Sequence, residues 1–251
     1  MSRRVLITAG ASGIGLEMAR AFAALGDRVM VTDIDGEALA VLPEGITGLH
    51  ADVADEAAMD ALHARIEADW GGLDVLCANA GVKGPTAAVE DIALADWRSS
   101  LAVNLDGMFL TVRGAVPAMK RQGSGVIIVT SSTSGMYGTP FRSPYVAAKW
   151  AVIGLMKTWA MELGPHGIRV NAILPGSVNG PRIDRVIAAE AEAKGMTPEA
   201  VRQGYASGTA LRTLVDPGDV AAMAVFLAST GAARVSGQAM VVDGFTINPD
   251  P

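Results

Sequence analysis

Val5-Leu6-Ile7-Thr8-Ala9-Gly10-Ala11-Ser12-Gly13-Ile14-Gly15 runs a short apolar, β-branched strand directly into a turn of small residues. From Leu16 to Leu25 the apolar positions fall at helical spacing, with Leu16, Ala19, Phe22 and Ala23 on one side. Strand, glycine turn and helix together leave backbone N–H groups at the positive end of a helix, a natural seat for a pyrophosphate. Glycine is needed in such a turn because a side chain would hold the phosphates off the backbone. A second strand, residues 28–32, ends in Asp33, eighteen residues after Gly15. A carboxylate there accepts hydrogen bonds from adenosine ribose hydroxyls and repels a 2′-phosphate. No arginine lies in the glycine turn to offset that repulsion. The stretch therefore points to a dinucleotide site that takes NAD ahead of NADP.

The rest of the chain continues the alternation. Strand character marks residues 5–8, 28–32, 48–51, 75–78, 125–131, 169–173 and 239–242, and helical patterns fill 15–26, 56–70, 94–121, 143–164 and 219–229. Such alternation implies an α/β fold, a parallel sheet covered by helices on both faces. There is no internal repeat or composition break, so residues 1–251 read as one domain. Ligands in such sheets bind beyond the C-terminal strand ends. Asp33, Asn79, Ser132 and Pro175 each follow an apolar strand at that edge.

With 50% hydrophobic and 18% charged residues the chain can bury a large core. A formal charge of −6 argues against nucleic acid or an anionic membrane as partner, since both need a basic surface. Cys77 is the sole cysteine, which excludes an internal disulfide framework and any cysteine-rich metal site. His50, His63 and His166 show no metal-ligand clustering, so no metal is expected. No uncharged apolar run reaches the ~18 residues of a membrane span. The first strand begins at about Val5, leaving no room for a signal peptide. The expectation is a soluble, cytoplasmic protein that meets a small-molecule substrate.

Tyr145-Val146-Ala147-Ala148-Lys149 lies on a helical pattern and puts a phenol and an ammonium one turn apart on one face, with Ser132 thirteen residues earlier. A free tyrosine, with a pKa of about 10, is a poor base near neutral pH. A lysine cation in hydrogen-bonding range favours the phenolate and can lower that value by roughly 1–3 pH units. Operation near pH 7 takes about 3 units, or ~4 kcal/mol. The lysine alone barely reaches that; a second positive charge, such as an oxidised nicotinamide ring, closes the gap.

These motifs, in this order, resemble the short-chain dehydrogenase/reductase family nearly end to end. Thr8 to Gly15 resembles the family's TGxxxGxG turn, with Ala9 where the first glycine is usual. Asp52-Val53 resembles the adenine-contacting pair. Asn79-Ala80-Gly81 resembles the NNAG motif, with Ala78 replacing its first asparagine. Asn104 sits in a VNL context like the catalytic asparagine, and Ser132, Tyr145 and Lys149 match the catalytic serine and YxxxK. Ser131 immediately precedes Ser132; the spacing to Tyr145 and Gly135 three residues on favour Ser132. Pro175-Gly176 matches the turn after the sixth strand, with Gly180 where a threonine often contacts the carboxamide, and Val241 to Gly244 resembles the last-strand signature.

The resemblance implies a Rossmann-like, doubly wound, seven-stranded parallel sheet and an NAD-dependent interconversion of a secondary alcohol and a ketone. Tyr145 would exchange the hydroxyl proton while hydride passes between substrate carbon and nicotinamide. Lys149 would hold the nicotinamide ribose and favour the phenolate, Ser132 would orient the substrate oxygen, and Asn104 would hold a water leading from Lys149 to solvent. Gly10, Ser12, Gly13, Ile14, Gly15, Asp33, Asp52, Val53, Asn79, Ala80, Gly81, Pro175, Gly176 and Val178 would join Tyr145 and Lys149 around the cofactor. The segment from Gly176 to about Val215 would be the substrate-binding loop, able to close as a lid. Arg142, Arg182 and Arg185 could bind an anionic group on a small polar or sugar-like substrate; solvated or ion-paired arginines are the plainer reading. Met136, Tyr137 and Tyr205 are candidate apolar lining. Other classes are an NADPH-dependent carbonyl reductase and a catalytically silent NAD-binding sensor.

The helical stretch 143–164 is apolar all round, with Ala147, Ala151, Gly154 and Thr158 opposite the Tyr145–Lys149 stripe. Such a helix needs a partner besides its own sheet, and small residues let another helix approach. That predicts a homo-oligomer with two-fold symmetry, a tetramer ahead of a dimer.

Overall fold

The computed structural model describes residues 2–247, with Arg182, Ala189 and Ala193 described as backbone only. Seven strands form one parallel sheet: β1 (Arg4–Thr8), β2 (Arg28–Asp33), β3 (Ile46–His50), β4 (Val75–Ala78), β5 (Gly125–Thr130), β6 (Ile168–Pro175) and β7 (Ala239–Val242). Their order is β3-β2-β1-β4-β5-β6-β7, so the chain reverses direction between β1 and β4. In β1, β4 and β5 successive side chains alternate between two covered faces, which is why these strands read as unbroken apolar runs. Val5 and Ile7 pack with Phe22 of α1 (Gly13–Ala24) and Ala224 of α9 (Pro217–Ala228). Leu6 faces the other way. It joins Leu62 of α3 (Glu56–Trp70), Met119 of α5 (Gly107–Gln122) and Met156 of α6 (Ser143–Leu163).

Element types follow the sequence closely, and boundaries move where backbone pairing decides them. β3 starts at Ile46 rather than 48 because the chain turns at Gly45, φ 86°, and pairs at once, Ile46 opposite Val29. β6 extends to Pro175 because its last residues, Leu174 and Pro175, pair with Val241 and Val242 of β7 after the ladder to β5 has ended at Ile173. A five-residue helix, α2 (Gly36–Ala40), is too short to leave a periodic signal; the Asp35 carboxylate caps it, accepting from Ala38 N at 3.0 Å. The helical pattern over 94–121 divides into α4 (Leu94–Leu101), a π-helical turn (Ala102–Asp106) and α5. The helices α7 (Pro181–Lys194) and α8 (Pro198–Ser207) form between β6 and α9, packed on each other through Ile187, Ala191 and Val201. Among the described residues no helix is long and apolar enough to cross a membrane.

The glycine turn is held by close backbone approach. A Cβ on Gly10 would lie 2.5 Å from Val31 Cβ, and one on Gly15 would lie 2.1 Å from Ala9 O. Ala9 itself has φ 49°, a left-handed conformation that an L side chain adopts at a cost. Ala9→Gly is expected to raise stability by about 0.5–1 kcal/mol, a rise of about 1–3 °C in Tm, while Gly10→Ala lowers it by about 1–3 kcal/mol. Thermal unfolding of the two variants beside the parent checks both signs.

His63 of α3 packs its ring against Gly114 of α5, where a Cβ would come within 2.0 Å of it. Burial holds the imidazole pKa down to about 4, despite its bond to the Thr111 backbone. The unfolded chain therefore takes up this proton first as pH falls. Stability present above pH ~6.5 is lost progressively down to about 4, by about 3 kcal/mol. Denaturant titrations between pH 7 and 4 should show that loss in the parent and a flatter profile in His63→Phe.

Candidate active site

The C-terminal strand ends are tied together before any ligand is considered. Thr8 Oγ1, closing β1, accepts from the backbone N–H groups of Asn79 (3.0 Å) and Ala80 (3.1 Å) beyond β4. The Asn79 amide donates to the carbonyls of Thr8 (3.2 Å) and Ala9 (3.3 Å), and its oxygen accepts from Thr130 Oγ1 at the end of β5 (3.1 Å). Asn79 thus joins three strand ends. Its side chain ties the floor of the cleft together.

Above that floor the expected groups converge. Lys149, 3% exposed on α6, donates from Nζ to Thr130 O at 2.9 Å. A Cβ on Gly81 would lie 3.3 Å from that Nζ and 2.8 Å from Asn104 Oδ1, so Asn79-Ala80-Gly81, Asn104 and Lys149 share one corner. Asn104 is fully buried in the π-helical turn. Its amide donates to Ser100 O (2.9 Å) and Val82 O (3.0 Å), and its oxygen accepts from Val82 N (3.2 Å). Widening the helix by one residue brings this asparagine inward to clamp the segment after β4.

Tyr145 sits one turn before Lys149, whose Nζ is 5.6 Å from the phenol ring centroid. The two neighbouring serines divide their work. Ser131 is buried and donates from Oγ to Lys149 O at 2.8 Å. Ser132 is half-buried, and its hydroxyl accepts from Ser134 N at 3.2 Å. Ser131 therefore anchors α6, and Ser132 is the hydroxyl nearer the open side. Gly135 backs both anchors: a Cβ there would lie 2.8 Å from Lys149 O and 2.8 Å from Ser131 Oγ.

At the other end of the cleft no side chain caps the first turn of α1, although Ser12 holds the N-cap position. Its N–H groups face the same edge as Asp33, whose carboxylate accepts from Ala11 N (3.1 Å) and Asp35 N (3.2 Å). Gly13, Ile14 and Gly15 open that helix. Asp52 is exposed beyond β3, while Val53 is buried against Gly107. Gly176 packs on Asp243, and Val178 bridges to Val215, closing the base of the long segment after β6.

The arginines separate. Arg142 reaches the site, its guanidinium carbon 4.7 Å from the Tyr145 ring centroid. Arg185 is exposed on α7. The side chain of Arg182 lies outside the described residues. Tyr205, a candidate for lining, donates to Glu190 Oε2 at 2.8 Å and packs inside the α7–α8 pair instead. Tyr137 turns to Thr246 and Asp243, and burial raises its phenol pKa. Sequence reasoning missed Thr8 and Thr130 as linkers; Thr8 heads the glycine turn, but Thr130 acts through a hydroxyl to Asn79 and a carbonyl to Lys149, both distant in sequence. Among the described residues no cluster of His, Cys, Asp or Glu could hold a metal ion.

This arrangement combines an uncapped helix start, a carboxylate at the end of β2, and a phenol–ammonium pair over the end of β5. It can hold a dinucleotide along the sheet edge and manage a proton at its far end. Known dehydrogenases and reductases resemble this chain along nearly its whole length. A family model described as enoyl-(acyl carrier protein) reductase matches residues 8–245. The chain is 34% identical to a D-beta-hydroxybutyrate dehydrogenase from Rhizobium meliloti (strain 1021), over 97% of this chain and 98% of that one. It is 39% identical to a 3-alpha-(or 20-beta)-hydroxysteroid dehydrogenase from Mycobacterium bovis, over 96% and 88%. The crystal structure of an NAD+-bound xylitol dehydrogenase superimposes with a TM-score of 0.91 at 28% identity, covering 96% of this chain and 98% of that one. With the fold, the ordered motifs and these relatives in agreement, the chain belongs to the short-chain dehydrogenase/reductase family.

Proposed function

We propose that this enzyme interconverts a secondary alcohol and a ketone on a small polar substrate, with NAD as cofactor and Tyr145 as acid and base. One observation carries the reading: the Lys149 ammonium is buried, fixed by Thr130 O, and held 5.6 Å from the Tyr145 ring. Relatives named for acting on hydroxybutyrate, on hydroxysteroids and on xylitol support the reaction class.

The cleft fits a nicotinamide dinucleotide on its own geometry. Gly10 and Gly15 leave no room for side chains between turn and sheet, so backbone N–H groups of α1 are the groups offered to a pyrophosphate. Asp33 is held at the turn by two N–H groups, placed to accept from a ribose and to repel a 2′-phosphate. When bound, NAD supplies the hydride acceptor. The protein's own contribution is positional and electrostatic. Ser132 donates to the substrate oxygen and orients it. Tyr145 takes the hydroxyl proton in oxidation and returns it in reduction. Lys149 favours the phenolate, and Asn104 holds the segment that closes this corner.

The same reading covers the rest of the molecule. The chain acts as one domain, in the cytoplasm, and residues 176–215 form a lid over the substrate. Ala147, Trp150, Gly154, Thr158 and Met161 leave one face of α6 exposed, which supports assembly into a homo-oligomer through that helix, a tetramer ahead of a dimer.

Tyr145→Phe should lower kcat/KM by about 10²–10⁴-fold while leaving the Kd for NAD within a few-fold, measured by cofactor absorbance against a panel of secondary alcohols and by calorimetry. Full turnover in that variant would remove the assignment. Asp33→Ala should narrow the preference for NAD over NADP by about tenfold or more, read from the two dissociation constants. An unchanged ratio would defeat the choice of cofactor.

A further inference from the structure

Arg142 breaks a local rule. It occupies the N-cap of α6, where Ser, Thr, Asp or Asn is favoured, and its side chain caps no N–H there. A cation at that position also opposes the positive end of the helix. Yet the side chain is placed with care. Its guanidinium carbon lies 4.7 Å from the Tyr145 ring centroid, closer than Lys149 Nζ at 5.6 Å. One terminal nitrogen donates to Lys83 O at 3.1 Å, which ties it to the segment after β4. A planar guanidinium on a ring face suits such stacking better than an ammonium.

The electrostatics give that placement a consequence. A single neighbouring cation moves a phenol by roughly 1–3 pH units, and operation near neutrality needs about 3. Two cations within 6 Å of one ring centroid reach that range before any cofactor binds. We propose that Arg142 is a positioning residue for Tyr145, fixing the plane of its ring and supplying a second positive charge that favours the phenolate. This rests on Tyr145 being the acid and base. Lys149 shares the helix of Tyr145; the elements packed against that helix carry Asp96, Arg98 and Asp106, and Lys83 holds Arg142, all four exposed. The segment 131–141 carries no charged residue, and Asp243 lies against Tyr137.

The chain has only three tyrosines, so a near-ultraviolet tyrosinate titration of the full-length protein without cofactor, taken as the difference from Tyr145→Phe in each background, isolates this phenol. Arg142→Met keeps much of the aliphatic stem and removes the charge. It should raise the Tyr145 midpoint by about one pH unit and move the rising limb of kcat/KM for alcohol oxidation upward by the same amount. At a fixed pH below the limb that is about a tenfold loss. Arg142→Lys should restore most of the shift. Circular dichroism and melting of both variants show whether the fold is kept, and the Lys variant carries the test if the Met variant unfolds. Unmoved midpoints would overturn the proposal, and so would a rise in KM confined to anionic substrates with the limb unmoved, which would make Arg142 a substrate contact. Retained turnover in Tyr145→Phe would instead sink the functional reading, while the titration still reports on Arg142.

Discussion

A buried ammonium joined to one carbonyl organises the centre of this molecule. Lys149 has almost no contact with water, so its charge persists only if the protein replaces the lost hydration. Thr130 O does part of that from the last residue of β5. The same lysine offers its own carbonyl to Ser131 Oγ, the next residue along. One residue of α6 is thus bonded at both its main chain and its side chain to two consecutive residues of the strand end. That double attachment fixes the rotation and height of α6 over the sheet, and with it the direction of Tyr145 one turn earlier. A helix free to roll by ~100°, the turn of one residue, would carry the phenol out of the cleft.

The attachment explains why small residues gather around it. Gly135 and Gly81 lie where a methyl group would collide with Lys149 O, Ser131 Oγ, Asn104 Oδ1 or Lys149 Nζ. Removing those side chains lets three segments, the one after β4, the one after β5 and the π-helical turn, reach the same corner. Asn104 completes it with a two-way bond to Val82, an amide-to-backbone pairing that resembles one rung of a sheet. The corner is therefore rigid without being tightly filled by carbon, which is what a site handling a proton near a polar substrate requires.

Much of this was legible in the sequence, for identifiable reasons. Strands buried on both faces give unbroken apolar runs, so β1 and β4 could be placed closely from their patterns alone, and the short apolar run of β7 was legible too. Tyr145 and Lys149 were legible because a four-residue spacing has one meaning on a helix. What stayed hidden depends on backbone. The π-helical turn at Ala102–Asp106 leaves the hydrophobic period of 94–121 nearly intact, so nothing in the pattern marks where the helix widens. Spacing singled out Ser132, but the bond from Ser131 Oγ to the main chain of α6 joins residues eighteen apart and leaves no local mark. The bonds of the Asn79 amide to Thr8, Ala9 and Thr130 join residues far apart in the chain, so no local pattern marks them. α2 has five residues and no buried face, so only its Asp35 cap could have announced it.

Where the chain departs from easy backbone geometry is also informative. Among the described residues, four non-glycine residues have positive φ: Ala9, Phe141, Arg212 and Phe245. Ala9, Phe141 and Phe245 lie in connections leaving the C-terminal ends of β1, β5 and β7, and Arg212 lies between α8 and α9. None lies within the sheet or a helix. Each costs of the order of 1 kcal/mol or more, and such residues persist only where surrounding contacts over-determine them. Those contacts are present. Phe141 O accepts from Ala87 N at 3.0 Å, and Phe245 is held by its own N–H to Asp243 Oδ1 and by its carbonyl to Ala210 N, both at 2.8 Å. Phe141 also immediately precedes Arg142, so the turn at 141 delivers the guanidinium to the Tyr145 ring. Sheet and helices supply the stability, and these left-handed residues are confined to the connections outside them. That separation is what allows one scaffold to keep its fold while the residues along a single edge set the reaction.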